Sequence, residues 1–209
     1  MIDDSIPWKD ELVKVANRLE AKTKQKRWTD RTGYLIERDF IVSAYAMRKL
    51  IESHKVSDEL GQRQIPVRRF DLTGTPPHPL SPTDIADSYD FENGRRRTLS
   101  VVDLCHEIIR SVVFTFYCGE TTDNFDGVYV SSDRHKTEFV YLVLASDFIA
   151  LCSDIGVEDV RSQSSGHLGA ARGAGGPGLA AASPVVSEPF RLDKRRLHER
   201  TVDESLHRP

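Results

Sequence analysis

Glu138–Ser146, "EFVYLVLAS", decides how this chain folds. From Phe139 to Leu144 every residue is apolar or aromatic, and most are β-branched or ring-bearing, so the stretch is a strand rather than a short helix. A half-buried strand alternates apolar with polar side chains. This one does not, so both of its faces are expected to be covered. Val140, Leu142 and Leu144 should pack on one side, and Phe139, Tyr141 and Val143 on the other. An aspartate at Leu142 should then cost several kcal/mol, because an unpaired carboxylate would be buried. If one face proves bare, it becomes the first place to look for a partner.

Working outward, "VVFTFYC" is β-branched and aromatic, "GVYVSSD" alternates, and "DRHK" can turn the chain into "EFVYLVLAS". These segments predict an antiparallel meander. Ahead of them, Ser100 offers an N-cap to "VVDLCHEIIR", where Val101, Leu104, Cys105, Ile108 and Ile109 form the buried stripe of a short helix. After them, Ser146 or Asp147 caps a closing helix through Phe148, Leu151, Cys152 and Ile155, with Gly156 as its stop. At the N-terminus, Leu12, Val13, Ala16 and Leu19 recur at helical spacing between Trp8 and about Arg27. Thr29 or Asp30 caps a second, longer helix that runs to about Ser53. The short connection pairs the two helices antiparallel. "IPVRRFDL" reads as a strand placed at a sheet edge by Pro66, and "TGTPPHPLSP", with four prolines in ten residues, as a loop. The predicted class is α+β: an N-terminal antiparallel helical pair, a central helix, a small antiparallel sheet of three to four strands and a closing helix.

Composition sets the bounds. The chain has 209 residues, 39% hydrophobic and 29% charged, which suits one globular core. No apolar run approaches the roughly 18 residues that span a bilayer, and "MIDDSIPWKDEL" is not a leader, so the expected compartment is the cytoplasm and no membrane partner is expected. Cys105, Cys118 and Cys152 are widely spaced among apolar neighbours and read as reduced core thiols, with no metal or cofactor called for.

The composition breaks near residue 161. Twelve of the eighteen residues from Gly166 to Ser183 are Gly or Ala, too little apolar surface to offset the entropy of ordering. Residues 161–209 carry 8 Lys/Arg and 5 Asp/Glu, leaving 21 and 27 for residues 1–160, net −6. The body is therefore read as one domain over 1–160, followed by a disordered Gly/Ala-rich tail. The tail is either an interaction segment or text that a GC-rich gene yields when read out of frame. Truncation after Val160 should leave thermal stability within about 1 kcal/mol of the full chain. A large drop in melting temperature would show that the tail packs on the body.

Three constellations are candidates for chemistry. The first is "RKLIESH", in which Arg48 and His54 stand six positions apart in an Arg-x5-His pattern. This spacing resembles the HEPN nucleases, whose arginine and histidine, joined across a dimer, cleave RNA without a metal. The resemblance implies catalytic roles for Arg48 and His54, a homodimer and an all-helical fold. Lys49 stands where that family places an amide, acid or imidazole. On one continuous helix six steps of about 100° leave the two side chains about 120° apart. The second is Asp103 with His106, an acid and an imidazole one turn apart on the central helix. The third is basic: Lys24, Lys26, Arg27 and Arg31 around Trp28, Arg68 and Arg69 beside Phe70, and Arg95, Arg96 and Arg97. Such interleaving occurs on surfaces that bind single-stranded nucleic acid, although net −6 over the body repels phosphate unless the clusters converge. No phosphate-binding glycine loop, nucleophile elbow or paired-carboxylate motif is present. The sequence therefore points to an interaction or regulatory protein with a protein partner. A metal-independent ribonuclease and a single-stranded nucleic-acid binder are the alternatives.

Overall fold

The structure is a computed structural model that describes residues 3–78, 84–119 and 124–158. The expectations for residues 161–209, and part of the proline-rich loop, lie outside them. Helix α1 spans Ile6–Thr23, with Pro7 in its first turn, where its missing N–H is no loss. Helix α2 spans Asp30–Glu52 and is capped by Thr29, whose Oγ1 accepts from the Thr32 amide at 3.3 Å. A single turn α3, Asp58–Gly61, leads into strand β1, Gln64–Asp71. Strand β2, Arg95–Ser100, runs directly into helix α4, Val101–Ile109, which is capped as expected by Ser100. The meander follows as β3, Ser111–Cys118, β4, Phe125–Ser132, and β5, Phe139–Leu144. Helix α5, Ala145–Val157, closes the described chain.

The five strands form one antiparallel sheet in the order β2-β1-β5-β4-β3. That is one strand more than the expected three to four, and β1 is interior rather than at the edge. Pro66 is tolerated there because the β1–β5 ladder runs only from Arg68 to Asp71, so at Pro66 the strand has β2 alone as a neighbour. The added strand β2 reads "RRRTLS" and is largely exposed. Its lack of apolar alternation concealed it, and its arginines suit an edge that must not pair with other chains.

The helices cover one face of the sheet. Phe40 of α2 stacks on Phe148 of α5 at 4.1 Å between ring centroids and meets Phe114 and Phe125 edge-on. Trp28 packs over Phe116 and Phe125. The expected helical pair needs a correction, because α1 packs chiefly along α5, while α2 lies mainly against α4. Gly156 is part of the reason. It does not stop α5, which continues to Val157; a Cβ there would lie 2.6 Å from Val13 Cγ2 and 3.0 Å from the Lys9 carbonyl. Glycine lets the two helices approach, and Lys9 Nζ then donates to the Glu158 carbonyl at 2.6 Å. The start of α5 also differs. It begins at Ala145 with no side-chain cap, so neither Ser146 nor Asp147 fills that role.

The other face is only partly covered. Segment 84–93 folds back over the sheet and sets Ile85, Tyr89 and Phe91 on Phe70, Val113, Tyr129 and Val140. It is tied down by amides of Thr73 and Gly74 donating to Ser88, by the Asp90 amide donating to Asp71, and by Tyr89 Oη donating to the Lys136 carbonyl. Burial pushes the Tyr89 hydroxyl up to about 12. Gly94 must lack a Cβ at the end of this cover, since one would sit 2.3 Å from the Phe70 ring. Among the described residues Cys105, Cys118 and Cys152 form no disulfide; Cys105 and Cys152 are buried, and burial pushes Cys105 up to about 12.

Candidate binding groove on the open sheet face

Strand register shows what the uncovered part of the sheet presents. Arg96 stands across from Arg68, Arg68 from Leu142, Leu142 from Tyr129, and Tyr129 from Thr115. These five side chains form one row across the sheet on the face away from the helices. The next row holds Thr98 and Pro66 on β2 and β1, then Leu144 across from Gly127, and Gly127 from Tyr117. The cluster formed with segment 84–93 takes in Leu142 and Tyr129 and, from this second row, Tyr117, but leaves Leu144 outside it. The result is a groove of about 860 Å³. Its floor is Pro66, Leu142, Leu144 and Tyr117, with Arg68, Arg96 and Arg97 toward β2 and Asp126 and Asp147 toward β4 and the start of α5.

Leu144 is 38% exposed, whereas Val140 and Leu142 are buried. The expectation that all six residues of Phe139–Leu144 would be covered thus fails at Leu144, where β5 runs past the end of the cover. Phe139, Tyr141 and Val143 face the helices as expected.

The electrostatics of the groove are lopsided. Arg68 faces Arg96 on the groove side and Arg69 faces Arg95 on the helix side, and like charges directly opposite each other on a sheet are unfavourable. Asp71 compensates one of these pairs, binding Arg69 Nε at 2.7 Å and lying 3.4 Å from Arg95. Arg69 also stacks on Phe139 at 3.9 Å. Among the described residues, no carboxylate pairs with Arg96 or Arg97. At the far end, burial raises the Asp147 carboxyl above its usual range. Tyr129, almost fully buried beneath the groove, has a hydroxyl with no hydrogen-bond partner among the described residues.

The other sequence candidates fall elsewhere. Arg48 Nε binds Glu52 at 2.7 Å on the exposed side of α2. His54 lies past the helix end at φ 54°. Its amide donates to the Ile51 carbonyl at 3.0 Å and the Lys55 amide to the Leu50 carbonyl at 2.9 Å, the paired bonds of a Schellman C-cap. His54 thus occupies the left-handed position usually given to glycine. His54→Gly should raise stability by about 0.5–1 kcal/mol in a denaturant titration; a loss would mean that the imidazole holds the turn.

Asp103 does not pair with His106. It binds Ser100 Oγ at 2.6 Å in the α4 cap. The acid that meets a histidine is Glu107, whose Oε1 binds His135 Nδ1 and whose Oε2 accepts from the Ser132 amide at 3.1 Å. Ser132 Oγ lies 3.3 Å from that same Nδ1, so acid and hydroxyl share one ring nitrogen. A nucleophilic relay needs them on opposite nitrogens. The cluster clamps the β4–β5 turn to α4, and its members, 28 residues apart in sequence, carry no local signal.

The basic residues also separate. Lys24, Lys26 and Arg27 in the α1–α2 connection and Arg31 in the first turn of α2 lie around Trp28, which packs on Phe116 of β3, at the opposite edge from β2. Four strand spacings of about 4.8 Å set the two groups roughly 19 Å apart. Trp28 and Phe70 are packed in the interior rather than displayed for base stacking. Among the described residues no group of acidic, His or Cys side chains is arranged to hold a metal, and no helix is long and apolar enough to cross a membrane. Comparison of the chain with protein-family models, with curated proteins and with solved structures gives no match.

Proposed function

We propose that the chain is a binding protein that receives an extended segment of a protein partner across the open face of its sheet. One observation carries this reading: an apolar floor with exposed Leu144 lies between Arg96, which lacks a carboxylate partner among the described residues, and Asp126 and Asp147. Apolar contact supplies affinity, while charges at the two ends fix orientation. The groove crosses about four strand spacings, roughly 19 Å, which matches five or six extended residues at about 3.3 Å each. The complementary segment is apolar in the middle, acidic at the end that meets β2 and basic or amide-bearing at the other. A polynucleotide fits less well. It carries negative charge along its whole length, so Asp126 and Asp147 would repel one end of it, as would the net −6 of residues 1–160.

Selection from a random peptide library displayed on phage tests this. The reading expects enrichment of acidic-apolar sequences that are lost against an Arg68→Glu/Arg96→Glu variant. Absence of enrichment, or enrichment indifferent to the charge reversal, would overturn it. Tight binding of single-stranded oligonucleotides with the same arginine dependence would assign the groove to nucleic acid instead.

A further inference from the structure

Helix α2 carries a second exposed surface, on the side of the molecule opposite the groove. Tyr34 is 63% exposed, Val42 46% and Tyr45 47%, large values for aromatic and β-branched side chains in the middle of a capped, 23-residue helix. At about 100° per residue, Tyr34, Arg38, Val42, Tyr45 and Lys49 fall within a stripe roughly 80° wide. Three apolar or aromatic residues and two cations share it. Lys49 already lies over its own Tyr45, 5.9 Å from the ring centroid.

We infer that this stripe is the contact between two copies of the chain, with their α2 helices crossing antiparallel about Ile41 and Val42. The argument is self-complementarity. A twofold axis between positions 41 and 42 brings each α2 residue opposite the one equally far on the other side of that axis. Ile41 then meets Val42 of the second copy, Arg38 meets its Tyr45, Tyr34 its Lys49, and Arg31 its Glu52. Each meeting is favourable in kind: apolar on apolar, cation on aromatic face twice, and cation on carboxylate. An isologous contact requires such self-matching of one patch. A surface evolved only for water has no reason to be matched about its own midpoint. The arrangement does not build a composite nuclease site, because the two Arg48 residues end up about 20 Å apart along the helix axis at about 1.5 Å per residue.

One helix pair buries less than the roughly 1,600 Å² of a standard interface, so association is expected in the micromolar range. Sedimentation velocity on the full chain tests it. The expected result is a concentration-dependent shift to twice the 23.6 kDa chain mass, abolished by Val42→Asp and by Tyr45→Asp with circular dichroism unchanged. Arg31→Glu and Glu52→Arg should each move the midpoint to higher concentration, and the two together should bring it back. Val42→Cys should give a disulfide-linked dimer on mild oxidation, since the axis places the two copies of that residue side by side. A chain that stays monomeric to about 100 µM, well above the micromolar range, would overturn the inference. So would a dimer that survives both aspartate variants, or one broken by Arg96→Glu instead, which would place the contact on the β2 edge.

Discussion

Val143→Asp is expected to destabilise the chain by about 4 kcal/mol or more, enough to unfold much of a marginally stable domain, whereas Leu142→Asp should lose only about 2 kcal/mol. Both residues are buried on the same strand. Their surroundings differ. Val143 faces the helix-covered core, where a carboxylate meets only apolar neighbours and must stay unpaired or protonated. Leu142 stands directly across from Arg68, on the floor of a groove open to water. A carboxylate there acquires a cation and partial solvation, which lowers the loss below what the sequence alone suggested. Urea denaturation of the two variants measures the difference. Equal losses would mean that the open face is as dry as the covered one, and the groove would then have to be closed by something else.

Phe40→Ala should be the most damaging truncation, at about 3–5 kcal/mol. Phe40 is fully buried, stacked on Phe148 and edge-on to Phe114 and Phe125, so it joins α2 to α5, β3 and β4 at one point. Removing the ring opens a cavity that three other rings can fill only by leaving their rotamers. Phe40→Leu keeps much of the volume and should lose less. Thermal melts of the pair check this. A Phe40→Ala loss below about 1 kcal/mol, the size of an ordinary surface change, would contradict the core as described.

The elements that sequence made legible are those whose burial is written in local periodicity. The unbroken apolar run of β5, the stripe of α4 with its Ser100 cap and the Thr29 cap of α2 all stand where the sequence places them. Strand β2 was hidden because an edge strand of arginines has no apolar face to repeat. Strand β1 was read as an edge because of Pro66, and the short β1–β5 ladder that tolerates this proline inside the sheet is not written in the sequence. The packing of α1 on α5 was out of reach too, since it depends on Gly156 meeting Lys9 and Val13 more than 140 residues away. The groove was half legible. An apolar run with two faces implied two covers, and a bare face implied a partner. The arginines of β1 and β2 were visible as composition. That they oppose one another in register follows only from strand pairing across the long 72–94 connection.

The central claim is that charge at the groove's ends orients a bound protein segment, and a charge-swap titration tests it most directly. A peptide selected on the native chain is labelled and its affinity measured by fluorescence anisotropy against native protein and Arg68→Glu/Arg96→Glu. The same titrations are repeated with the peptide's acidic residues changed to lysine. Each single reversal should weaken binding by about tenfold or more, as expected when a charge pair becomes a repulsion. The double reversal should recover most of the loss. If lysine peptides fail to regain affinity for the reversed groove while both proteins remain folded, the arginines are not where the partner's acidic end docks, and the account of this surface is wrong.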